Sequence, residues 1–155
     1  MHAVVKWLYL LALIVWVGQV VFFSFVAAPA LFRTLSTVEA GRAVGAIFPT
    51  YYRLAFACLT ILLLGDVLFV VTGTSRAWWT ASTCLAAAAL AATLYAGIVV
   101  QPRATALRPQ LHAPEAPPHV RAEFDRLHRL AVQLNGAALV CGLAISAVTA
   151  ATLKP

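Results

Sequence analysis

The sequence predicts an all-α fold: an antiparallel four-helix transmembrane bundle with a short cytoplasmic amphipathic helix. Three observations carry this. First, 63% of the 155 residues are hydrophobic and 10% are charged, against about 45–50% apolar and about 25% charged in ordinary soluble domains. Second, a water-soluble fold this small still exposes about a third of its unfolded surface, and 11 basic and 5 acidic side chains cannot cover it. The remaining solvent is lipid. Third, apolar runs of roughly 20 residues, the length needed to span a bilayer, recur four times. Residues 1–155 therefore form a single integral membrane domain, with spans at about 4–32, 50–72, 77–100 and 130–153 and a cytoplasmic loop at 101–129.

The first span runs from about Val4 to Phe32 and contains Lys6 near its start. Its apolar run from Trp7 to Val26 is about twice the length of a signal-peptide core, so it reads as a retained helix that ends at Arg33. Ser36-Thr37-Val38-Glu39 then has capping-box spacing: the serine hydroxyl accepts a backbone N–H while the glutamate reaches back to the cap. A short amphipathic helix is expected from there to Pro49, where the missing N–H should break it. It carries Gly41 and Gly45, a small-xxx-small spacing that lets another helix approach closely.

The second span holds Arg53 near its start and Asp66 deep within, and residues 73–76 allow only a tight turn to its neighbour. The third is alanine-dominated, which suits close backbone packing, and Trp78 and Trp79 mark the membrane interface. Five prolines between Gln101 and Pro118 predict an extended connection. Pro117 and Pro118 then start the fourth helix, whose first three turns are polar and whose apolar part runs from Leu130 to Leu153.

Several function classes drop out. The basic residues form no cluster with interleaved aromatics, so nucleic acid is not a partner. Cys58, Cys84 and Cys141 lack paired spacing and lie at different depths, so they read as small buried hydrophobes rather than a disulfide or zinc site. No zinc-protease, nucleotide or nucleophile signature is present, and nothing marks an enzyme. Eight of the 11 basic residues fall on the side of the first and third connections. That side belongs in the cytoplasm, which puts both termini outside, periplasmic in a bacterial inner membrane.

Polar residues inside the spans carry what functional information there is. Helical rise puts Gln19, Asp66 and Cys141 at roughly 20, 18 and 16 Å from the cytoplasmic boundary, where they are expected to meet. A carboxylate at that depth costs about 2.5–3.5 kcal/mol, so Asp66 must be protonated or face a polar interior. Two readings stand side by side: a proton or cation relay, and a neutral acid that glues helices together. A second level at roughly 8–12 Å gathers Tyr95, Asn135, Thr60 and Ser24. On the fourth helix Arg121, Asp125, His128, Asn135, Gly142 and Ser146 fall on one face. His128 at the mouth of that stripe is a candidate metal or haem ligand, or a partner of Asp125 or of a phosphate headgroup. His112 and His119 read as solvated loop residues.

The ordered motifs Trp16-x-Gly18, Phe22-Phe23, Pro29-x-x-Phe32-Arg33, Ala40-Gly41, Phe48-Pro49-x-Tyr51-Tyr52, Pro102-Arg103 and Phe124-x-x-Leu127-His128, with Asn135 seven residues on, span essentially the whole chain. They resemble the family of human transmembrane protein 205 and its bacterial relatives. That resemblance implies a four-span membrane protein without an established activity, linked in animals to tolerance of metal drugs. By size and span count the chain is also similar to copper-resistance and haem-binding four-helix proteins. Those use a histidine in the first helix, at a place where this chain has Leu8.

The resulting expectation is a non-enzymatic membrane protein that binds or passes a small cation or metal ion through a polar interior of Asp66, Gln19, Asn135 and His128, supported by Ser24, Thr60 and Tyr95. Two alternatives stay open: an accessory subunit of a larger membrane complex, and a haem- or quinone-binding redox protein. No cofactor is required by the sequence, and a metal ion and haem both stay open. Partners are the lipid bilayer and either a second copy or a larger complex.

Overall fold

A computed structural model describes residues 2–72, 75–111 and 117–152. Four helices are each long and apolar enough to cross a membrane: α1 Ala3–Thr34, α2 Thr37–Thr72, α3 Arg76–Leu111 and α4 Pro118–Thr152. They run up and down in sequence, and α2 packs on α3, α3 on α4, and α1 on both α2 and α4. The core is a column of Trp16, Leu59, Leu62 and Ile145, with Ala86 and Ala89 of the alanine-rich helix letting backbones close in. Outward faces carry Ile14, Leu64, Val71 and Val140, as lipid requires. The expected turn at Gly73 and Thr74, His112 and the chain end from Leu153 lie outside the described residues.

Two boundaries differ from expectation, and in both tertiary packing outweighs the local cost of proline. The capped segment from Thr37 is present, but it does not stop at Pro49: it is the first third of a 36-residue helix. A proline inside a helix costs about 3 kcal/mol. Here Phe48, Tyr51 and Tyr52 straddle the site: Phe48 and Tyr51 pack on Phe23 at ring separations of 5.3 and 5.4 Å, and Tyr52 packs on Phe48 at 5.6 Å, so stopping there would dismantle an aromatic cluster. The third helix likewise runs on through Gln101–Leu111 where an extended loop is expected, because Val100 and Ala104 are buried against Leu127 of α4.

Both α1 and α3 contain a π-helical turn, Phe23–Ala27 and Ala96–Val100. Each ends two residues before a proline, Pro29 and Pro102. Ala28 N–H reaches back five residues to Phe23, and Gln101 N–H does the same to Ala96. The shifted ladder puts each proline at the start of a fresh α segment, where its missing N–H costs little. Gly97 in the second turn serves another need, since a Cβ there would sit 2.9 Å from the Tyr52 ring.

Candidate functional site

Near the end of the bundle that carries the chain termini, Tyr9 of α1 donates its hydroxyl to Asp66 Oδ1 of α2 at 2.9 Å. With that proton committed, Ser82 of α3 donates in turn to the Tyr9 oxygen at 3.2 Å. Thr149 of α4 lies buried beside the same hydroxyl, so every helix contributes an oxygen at this level. Asp66 and Ser82 are both 0% exposed. Phe69 and Trp79 close the surround, with the Tyr9 ring meeting them edge-on at 5.5 and 5.9 Å. Gly65 makes room for that ring, because a Cβ there would meet Tyr9 at 2.7 Å. Among the described residues one buried side-chain oxygen has no hydrogen-bond partner, and it is Asp66 Oδ2.

A second polar centre lies toward the opposite end. Tyr51 donates to Asn135 Oδ1 at 2.7 Å, and Asn135 Nδ2 donates to Ser24 Oγ at 2.9 Å. The Gln19 amide donates to the Tyr51 carbonyl at 3.4 Å. Ser24 sits in the first π-turn. The buried apolar column of Trp16, Leu59, Leu62 and Ile145 separates the two centres, which stand roughly 22 Å apart by helical rise along α2. Other hydroxyls in the spans, including Thr72, Thr83, Thr93 and Ser146, bond back to the carbonyl four residues earlier and are satisfied within their own helix.

The structure thus regroups the residues singled out from sequence. Asn135 and Ser24 do meet, through a direct bond. Gln19 and Asp66 do not: each contacts a different centre, and Cys141 joins neither as a bonded partner. The cause is the continuity of α2 through Pro49, which sets the register of α1 against α2 from the turn at Leu35 and Ser36 and brings Tyr9, not Gln19, opposite Asp66. Thr60 and Tyr95 are corrected from the interior to the outer surface, Tyr95 being 47% exposed. Depth gave their height, but the rotation of each helix turns them outward. Asp66 and His128 stand at opposite ends of the bundle and share no site. Among the described residues no three His, Cys, Asp or Glu side chains gather to hold a metal ion, and all three cysteines are free. The centres also contain four residues that sequence did not assign to the polar interior, namely Tyr9, Ser82, Thr149 and Tyr51. Tyr9 had one legible signal, as the single tyrosine in the first apolar run.

Beside the second centre opens a groove of about 790 Å³. Its walls include Phe23, Phe32, Phe48, Tyr52, Phe124 and Val132, and its inner end is Asn135. Arg108, Arg121, Asp125 and His128 stand around its outer end, so Arg121, Asp125, His128 and Asn135 of the α4 stripe line one cavity, while Gly142 and Ser146 lie outside it. His128 is exposed and stacks parallel on Phe124, with ring planes 8° apart. The Gly41 to Gly45 stripe is filled from within the chain: Arg108 donates to the Gly41 carbonyl, and its guanidinium occupies the space where a Gly45 side chain would be.

Four apolar helices, a lipid-like exterior and two buried polar centres define a membrane protein of the four-helix bundle class. The chain belongs to the family described as Domain of unknown function (DUF4149), which matches residues 11–113. Tyr51, Asp66 and Ser82 fall inside the matched region, and Tyr9, Asn135 and Thr149 fall outside it. No curated protein matches the chain, and neither does a solved structure.

Proposed function

We propose that this is a non-enzymatic protein of the bacterial inner membrane that binds a proton or a small hard cation at the Tyr9–Asp66–Ser82 centre. The observation that carries the reading is Asp66 Oδ2, a carboxyl oxygen sealed from solvent and without a donor. An unpaired buried acceptor is costly, and a bare charge in the membrane more so. A proton on the carboxyl removes the charge, and a cation against Oδ2 both balances the charge and supplies the missing partner. The donors around it are all oxygens, which suit a proton or a hard ion and not a soft metal such as copper. Binding, rather than passage, is what the apolar column favours, since no polar route joins this centre to the other. The separation of Asp66 from His128 withdraws support from a shared metal site. We further read the ordered motifs as kinship with the family of human transmembrane protein 205.

Infrared difference spectroscopy between the wild type and Asp66→Asn tests the reading. A carboxylic-acid carbonyl stretch that vanishes in the variant supports a bound proton, and its replacement by a carboxylate band on adding sodium supports a cation. A carboxylate signal indifferent to both pH and sodium refutes it.

A further inference from the structure

We propose that the groove between α1, α2, α3 and α4 holds one anionic phospholipid, with its phosphate at Arg108 and Arg121 and an acyl chain running inward toward Asn135. The inference is independent of the Asp66 centre, which lies at the other end of the bundle.

Charge selects the headgroup. Around the outer end of the groove two guanidiniums face one carboxylate, Asp125, with His128 as a further titratable neighbour. Arg108 is half-buried and anchored by a neutral acceptor, the Gly41 carbonyl. That contact fixes its position without neutralising it and leaves most of its N–H donors for a ligand. Phosphate, with several acceptor oxygens, matches such a donor set. The first and third connections, with eight of the 11 basic residues, share this end of the molecule. If they face the cytoplasm, they meet the leaflet in which anionic lipids attract basic side chains.

The walls select the tail. Behind the arginines the lining turns aromatic and aliphatic, through Phe32, Phe124, Val132 and Phe48. From Arg121 to Asn135 the groove follows α4 for about 21 Å by helical rise. At the inner end Tyr51, Asn135 and Ser24 satisfy one another, so the floor makes no demand on a polar ligand and tolerates a methyl terminus. The volume of about 790 Å³ lies within the range of roughly 300–1,000 Å³ usual for ligand sites.

Native mass spectrometry of the full chain, released from micelles doped with phosphatidylglycerol or phosphatidylcholine, decides this. The expected result is one retained phosphatidylglycerol in preference to phosphatidylcholine. Arg121→Gln, at an exposed residue, should lower that retention about fivefold, and adding Arg108→Gln should lower it about fivefold again. Val132→Trp, which fills the apolar part, should remove the lipid while both arginines remain. Equal retention of the two lipids overturns the proposal, as does indifference to Arg121→Gln. Full displacement by inorganic phosphate would assign the site to a free anion, and disulfide-linked dimers of Val132→Cys that exclude lipid would assign the groove to a second copy. Either result overturns it.

Discussion

Tyr9 and Asp66, 57 residues apart in sequence, form a hydrogen bond that ties α1 to α2 inside the apolar core near the terminal end of the bundle. The phenol is a bridge: it accepts from Ser82 and donates to the carboxyl, so one side chain joins three helices. A chain of polar groups in a low-dielectric interior gains from mutual polarisation and loses sharply when one link is cut.

Tyr9→Phe should therefore destabilise the bundle, because it strips Asp66 Oδ1 of its donor and leaves both carboxyl oxygens unpaired. A double-mutant cycle of Tyr9→Phe and Asp66→Leu, which removes donor and acceptor in turn, read by unfolding in mixed micelles, should give a coupling of about 0.6 kcal/mol and no more than about 1.7, the average and the maximum for hydrogen bonds inside membrane bundles. A coupling indistinguishable from zero would show that the bond contributes nothing net.

Gly65→Ala should destabilise by about 1–3 kcal/mol, since its Cβ would press on the Tyr9 ring at 2.7 Å. Gly18→Ala is the matched control. Nothing lies within 4 Å of a Cβ there, so it should be neutral or slightly stabilising through better helix propensity. Thermal midpoints of the two variants, measured side by side, check the contrast.

The capping box at the start of α2 is reciprocal. Glu39 N–H donates to Ser36 Oγ at 3.3 Å, while Ser36 N–H donates to the Glu39 carboxylate at 3.1 Å. Ser36→Ala should cost about 0.5–2 kcal/mol locally. Faster amide exchange around Ala40, with no change near Leu62, is the expected signature. Loss of protection along the whole helix would instead mean that the cap nucleates α2.

Both termini are predicted to lie outside, from the eight-to-three distribution of basic residues between the two ends. Reporter fusions at either end that are active only in the cytoplasm would reverse this orientation and place the arginine end of the groove on the outer leaflet.

Composition and apolar run lengths were enough to determine a four-span helical membrane protein, because lipid leaves a chain few ways to satisfy its backbone. The capping box was legible for the same kind of reason, as a contact between residues three apart. Asp66 was legible as the exceptional side chain, and the α4 stripe as one face, since both follow from helical periodicity alone. Which residue stands opposite Asp66 was not. That pairing depends on whether Pro49 ends a helix, and a proline's local cost of about 3 kcal/mol was outweighed by aromatic packing among Phe23, Phe48, Tyr51 and Tyr52. Continuity through Pro49 moved the register along α2, exchanged Gln19 for Tyr9, and made Tyr51 the hub of the other centre. Thr60 and Tyr95 mark the same boundary between the two kinds of knowledge. Rise per residue sets how deep a side chain lies, but only the contacts between helices decide which way each helix is turned.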